Sequence, residues 1–216
     1  MNRFLKTLQI VLLSSLLSAC DSLDKPTLGL HLAIQRGDID QIQRHIEWGA
    51  DINQIDTSGR QLLHIAAKQG ELVIIRLLLK HGADINGLDG NSHSPLHAAL
   101  MEGKTQVASF LIKKGAANDP NSLLLAAIDN RVADRDVFRL LASLGADVNH
   151  LDNKGRTPLI LAINTDDRVL VKYLITQGAD LNKRDKEGVS PLRLATNRAN
   201  TDIIRLLKRN GARLEP

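Results

Sequence analysis

The chain has 216 residues, enough for one or two ordinary domains or one elongated array, and its 43% apolar fraction excludes wholesale disorder. Aromatics make up only 2% while Leu, Ile and Ala abound, a mixture that favours helices over sheets. The formal net charge is +4, but Arg3 and Lys6 supply two of those charges, and after Cys20 the balance is 26 basic to 24 acidic residues, which argues against nucleic acid as a ligand.

The chain opens on "MNRFLK", a short basic segment, followed by "TLQIVLLSSLL", an apolar run about half the ~20 residues that a membrane-spanning helix requires. Small residues Ser18 and Ala19 then precede Cys20, which gives the layout of a secretory signal peptide. Cys20 is the only cysteine, so no disulfide forms within one chain. The stretch "LSAC" resembles the lipobox of bacterial lipoproteins. That resemblance implies a diacylglycerol on the Cys20 thiol, cleavage just before it and acylation of the new amino group. Residues 1–19 are then removed, 20–27 form the lipidated Cys and a short tether, and 28–216 form the body. One acyl chain binds membranes only marginally, whereas two or more hold stably at about 0.8 kcal/mol per buried CH₂. Asp21 resembles the signal that retains lipoproteins in the inner membrane, and it also reads as the start of a polar tether, "DSLDKPT", which leaves the outer membrane open. The implied location is the bacterial cell envelope, on the periplasmic side.

Past the tether the sequence repeats itself. "GAD" or a close relative recurs at Gly49, Gly82, Gly115, Gly145, Gly178 and Gly211, at spacings of 33, 33, 30, 33 and 33. Before it recur "QLLHIAA", "SPLHAAL", "TPLILAI" and "SPLRLAT", and "DTSGR", "DNKGR" and "DKEGV" open successive units. Ser/Thr-Pro starts a helix with the hydroxyl as cap and Pro where its missing N–H costs nothing. The Leu and Ala residues then face the stack, and the Gly of "GAD" ends the second helix in a left-handed conformation. These residues resemble the ankyrin repeat, a unit of about 33 residues built as a β-turn and two antiparallel helices. The implied fold is an all-α repeat solenoid of six ankyrin repeats over about residues 28–214.

Unit 1 lacks the opening turn, and unit 6 ends at "NGARLEP" after a last helix, "DIIRLLKRNG", whose Arg205, Lys208 and Arg209 suit a solvated cap. Unit 4 is the irregular one. Pairing its Ala126 with Gly145 gives a separation of 19 against 16 elsewhere, and Gly115 to Ala126 spans 11 residues against 17. The β-turn finger before repeat 4 is therefore missing and the loop "DNRVADRD" is three residues longer, either as drift in a loop or as a gap that receives part of a partner.

Little here suggests chemistry. His64 and His97 occupy the motif position whose imidazole, by the resemblance, ties adjacent turns together. His93 and His97 have helical metal-ligand spacing, but His93 precedes the cap Ser94, so the spacing alone does not set them on one face. The Asp residues of "GAD" are turn formers before they are acids. No metal motif or phosphate loop occurs, and the expectation is a non-enzyme without cofactor apart from the lipid on Cys20.

What remains is a surface. Ankyrin arrays bind proteins through finger tips and inner helices, which here means Thr57, Ser58, Arg60, Lys68 and Gln69 in unit 2, with Gly90, Asn91, His93, Met101 and Glu102 in unit 3. Units 5 and 6 offer Asn153, Lys154, Arg156, Asn164 and Thr165, then Lys186, Glu187, Val189, Asn197 and Arg198. Met101 is the clearest apolar anchor. Trp48 falls at a variable place and is either an exposed hot spot or packed on unit 1. The expected function is a monomeric, membrane-tethered lipoprotein that holds a protein partner in its groove. The alternative is an immunity protein that inhibits an envelope-acting toxin such as a phospholipase effector.

Overall fold

The computed structural model describes residues 25–213; Cys20, the segment before it and the last three residues lie outside the described residues. Six helix pairs follow one another: α1 (Leu30–Arg36) with α2 (Ile39–Glu47), α3 (Leu62–Gln69) with α4 (Leu72–Lys80), and α5 (Pro95–Met101) with α6 (Thr105–Lys113). Then come α7 (Pro120–Asp129) with α8 (Arg135–Ser143), α9 (Pro158–Asn164) with α10 (Arg168–Thr176), and α11 (Pro191–Asn197) with α12 (Thr201–Arg209). The described residues hold no β-strand, only an isolated bridge between Ile55 and Gln61.

The inner helices start where the hydroxyl–proline pairs predict. The side chains of Ser94, Thr157 and Ser190 accept hydrogen bonds from the N–H groups of His97, Ile160 and Arg193, with Pro in the first turn. The left-handed terminators are also where "GAD" puts them, with φ of +86° at Gly82 and +92° at Gly115.

Packing is one-dimensional, each helix pair resting on the pairs before and after it. Ala33, Ala66, Ala99, Ala127, Ala162 and Ala195 are all completely buried, and their small side chains let consecutive inner helices approach. Leu30, Leu63, Leu96, Leu124, Leu159 and Leu192 stand three residues earlier in each unit and are buried as well. Each such leucine contributes about 1.5–3 kcal/mol by leaving water.

A second system of ties was not anticipated from the sequence. The Oδ1 atoms of Asn53, Asn86, Asn149 and Asn182 accept bonds of 2.7–2.9 Å from the N–H of Asp84, Ala117, Asp180 and Arg213, each in the next unit. An asparagine ladder thus runs the length of the array. The Asp side chains of "GAD" support it: Asp51, Asp84, Asp147 and Asp180 accept the N–H two residues ahead at 2.8–2.9 Å.

Unit 4 needs a correction. In every other unit the N–H five residues beyond the buried alanine bonds back to its carbonyl, as Lys104 does to Ala99. In unit 4 this bond runs from Val132 to Ala127, and Ala127 is buried where Ala126 is only half-buried. The equivalent alanine is therefore Ala127, the finger is shorter by five residues rather than six, and the loop is longer by two rather than three. The adjacent Ala126 hid the shift, because only burial distinguishes the two. The missing finger is confirmed: α7 begins at Pro120, capped by the Asp119 side chain, five residues after Gly115. The extra turn of α7 also supplies Asn121, whose Oδ1 accepts from Asp147 N–H at 2.8 Å and carries the ladder across the deletion.

Unit 1 is entered without a side-chain cap at Gly29. Instead Gln41 Oε1 accepts from the N–H of Thr27 at 2.9 Å and Leu28 at 3.4 Å, and His45 Nε2 lies 2.5 Å from the Leu28 carbonyl.

Candidate protein-binding groove

Each finger is closed by one aspartate. Asp56 Oδ1 accepts from the N–H of Ser58 and Arg60, and Asp89, Asp152 and Asp185 repeat the pattern at 2.8–3.0 Å. In two fingers an arginine doubles the clamp: Arg60 and Arg156 bond Asp56 and Asp152 through Nε at 2.8 and 2.7 Å, with the terminal nitrogen of each at 2.7 Å. Burial raises the carboxyl pKa of Asp56 and Asp152, but the Arg60 or Arg156 side chain and the backbone N–H bonds outweigh it, so both stay below the ordinary carboxylate range. Arg60 and Arg156, predicted as groove contacts, are thus first of all braces of their own fingers.

Neighbouring fingers press backbone to backbone. A Cβ on Gly90 would lie 2.8 Å from the Ser58 carbonyl oxygen, and one on Gly59 would lie 2.8 Å from the Gly90 nitrogen. Between units 5 and 6, Lys186 donates from its backbone N–H to the Lys154 carbonyl at 3.3 Å and from Nζ to the Asn153 carbonyl at 2.6 Å.

The groove side chains of units 2 and 3 converge. Ser58, Arg60, Lys68, Asn91, His93, Met101 and Glu102 share one open hollow of about 400 Å³ with Asn130 of unit 4. Lys68 and Glu102 pair at 3.2 Å across it, and Met101 lies half-buried on the core. Thr57 is exposed and Gln69 donates to the Gln35 carbonyl at 2.8 Å, and neither lines this hollow. Glu187, Asn197 and Arg198 are exposed, Asn164, Thr165 and Val189 half-buried, and Thr165 Oγ1 bonds the Ala162 carbonyl at 3.1 Å. Trp48 caps the C-terminus of α2 and is 51% exposed.

The absent finger leaves a second hollow, of about 490 Å³, beside the first. It is bounded by Leu88, Ser92 and His93 of finger 3 and by Asp119, Ser122 and Leu123 of unit 4, with His97 reaching both hollows. Leu88 is 58% exposed at its rim. The histidines explain the local geometry. His64 Nε2 lies 2.9 Å from the His93 carbonyl, which can only accept, so this nitrogen donates and ties unit 2 to finger 3. The next finger is missing, and His97 stacks flat on His93 instead, ring centroids 3.9 Å apart and planes within 5°. The two imidazoles therefore do share a face, a point that the spacing and the cap position had left open. Burial, and then the neighbouring His93, lower the His97 pKa from 6.5 to about 4, with Asp89 opposing. Among the described residues no group of three or more His, Cys, Asp or Glu is arranged to hold a metal.

Comparison with known proteins agrees with this architecture. The chain resembles the human ASB11 ankyrin repeat domain at a TM-score of 0.73 and 25% identity, over 88% of this chain and 86% of that one. It also resembles a chain in the complex of the Bdellovibrio bacteriovorus predatory endopeptidase Bd0816 with immunity protein Bd3460 (TM-score 0.70, 23% identity, 86% of this chain and 99% of that one). The ankyrin repeat domain of Bcl-3 matches at 0.71 and 24%, over 88% and 89%. No curated protein matches the sequence significantly. The profile for ankyrin repeats (three copies) matches residues 30–122 and again 123–216. The chain belongs to the ankyrin-repeat family and is built for protein–protein interaction.

Proposed function

We propose that this protein is a lipoprotein, tethered through Cys20 at the periplasmic face of a bacterial membrane, that holds a protein partner in the groove spanning units 2 to 4. The observation that carries the binding role is the convergence of seven predicted groove residues on one hollow, next to a second hollow left by the missing finger. Together they offer a partner loop a floor of Met101 and His97, a rim of charged side chains and the exposed Leu88. The lipid tether is supported by the sequence alone, through "LSAC" behind a basic and apolar leader.

Crosslinking in the native host, detergent extraction and mass spectrometry test both parts. The expected result is one captured protein, lost when Lys68 and Met101 are changed to Glu and Ala, together with a Cys20 peptide of acylated mass. A captured hydrolase delivered by a rival cell makes the protein an immunity protein; a resident envelope protein makes it a regulator or scaffold. Capture that persists in the variant removes the groove from the assignment, and an unmodified Cys20 removes the tether.

A further inference from the structure

Four of the six outer helices carry a cation at the same position. In the last five of the six outer helices the fifth residue is Arg76 in α4, Ser109 in α6, Arg139 in α8, Lys172 in α10 and Arg205 in α12, and the ninth adds Lys80, Lys113 and Arg209, whereas α2 has Gln43 at the fifth place and carries Asp40 and Glu47 beside Arg44. Across these five helices ten basic residues meet only two acidic ones, Asp136 and Asp202. The chain after Cys20 holds 26 basic and 24 acidic residues, which leaves 16 basic and 22 acidic elsewhere, so positive charge is segregated onto this side. With helices packed about 10 Å apart, the row is roughly 40 Å long.

Two hollows open on it. One, of about 420 Å³ between α8 and α10, is edged by Arg135, Arg139, Arg168 and Lys172 around Tyr173. Arg139 and Arg168 pair with Asp136 and Asp202 at 2.8 and 3.7 Å, whereas Arg135 and Lys172 make no ion pair among the described residues. The other, of about 620 Å³ between α4 and α6, sets Arg76, Lys80 and Lys114 around Phe110. The Arg76 guanidinium lies 5.3 Å and the Lys114 ammonium 5.8 Å from the Phe110 ring centroid. Apolar side chains stand among these charges, Val73 at 59% and Val169 at 51% exposure.

We infer that the outer-helix face docks on anionic phospholipid headgroups, seating phosphates between Arg135, Arg139 and Lys172 and beside Arg76 and Lys80. A long row of cations with two exposed valines among them, Val73 and Val169, matches a bilayer surface, where guanidinium forks take phosphate oxygens and short apolar side chains enter the headgroup layer. A single acidic peptide would require one concave site, whereas the cations are spread over five helices. The hollows share no residue with the groove, so a membrane-bound body still presents its groove to a partner. Proximity to a membrane in the cell rests on the Cys20 tether; the contact itself is a property of the folded body.

The test therefore uses the unlipidated chain from residue 21 onward, which keeps all twelve described helices and their core. It is expected to sediment with phosphatidylglycerol-containing vesicles and not with pure phosphatidylcholine. Binding should vanish as salt rises to about 1 M and the Debye length falls to about 3 Å. Changing Arg76, Arg139 and Lys172 to Gln should lower partitioning about 100-fold, from about fivefold per cation, while Met101→Ala leaves it unchanged. Equal binding to neutral vesicles, or binding retained by the triple variant, overturns the inference. So does a body that ignores every vesicle but binds polyglutamate through the same cations, which would assign the face to an acidic protein. Failure here leaves the acylated Cys20 peptide and groove capture intact as separate readouts.

Discussion

His97 makes the array's stability depend on pH in a predictable window. Its imidazole is partly buried, stacked on His93 and held neutral, with a pKa of about 4 against 6.5 in the unfolded chain. A base whose folded pKa is depressed gives the unfolded state more bound protons below 6.5, so stability falls as pH drops from 6.5 to about 4 and is unaffected above 6.5. At full weight the shift from 6.5 to about 4 amounts to about 3 kcal/mol. The ring is partly exposed and solvent screens it, so we expect about 1–2 kcal/mol. Urea denaturation of wild type and His97→Gln at pH 7.5 and pH 4.5 reads this contribution, because the depressed aspartates Asp56, Asp119 and Asp152 keep their own partners in both proteins. The wild type should lose about 1–2 kcal/mol more than the variant between the two pH values. An equal loss in both, or an NMR titration placing His97 at 6.5 or above, would refute the reasoning.

Three further outcomes follow from the junctions between units and from the clamp within one finger. Asn121→Ala removes the acceptor for Asp147 N–H and should cost about 1 kcal/mol, with amide exchange accelerating in units 4 to 6 but not in unit 1. Gly90→Ala drives a methyl group against the Ser58 carbonyl at 2.8 Å and should lower stability by about 1–3 kcal/mol, read as a fall in melting temperature. Arg60→Ala and Lys68→Ala should separate by assay. The first releases the Asp56 clamp and costs about 1–2 kcal/mol of stability. The second breaks only an exposed pair, stays within about 0.5 kcal/mol, and acts on partner capture instead.

The regular units were legible because their local chemistry repeats at 33 residues. Ser94, Thr157 and Ser190 cap helices, and the "GAD" glycines adopt the left-handed turn, wherever the motif is intact. The asparagine ladder was equally periodic, four residues after Gly49, Gly82, Gly145 and Gly178, yet its purpose is visible only when the N–H of the next unit is set against it. Unit 4 was harder because two alanines stand side by side and the choice between them depends on packing, which sequence spacing does not encode. Of the groove, the positions in units 2 and 3 were readable from the repeat pattern. That Arg60 and Arg156 are engaged with their own aspartates was not, since the same guanidinium could equally have faced solvent.

The bonds that hold the start of the described chain also decide how a mechanical load enters the molecule. A pull along the segment before Thr27 is borne by Gln41 and His45, both on α2 of a unit that, among the described residues, has a neighbouring unit on one side only. Force applied there peels unit 1 from unit 2 before it reaches the fingers of units 2 and 3. The first unit is in this sense a fuse: it can yield under tension while the surface that grips a partner keeps its shape.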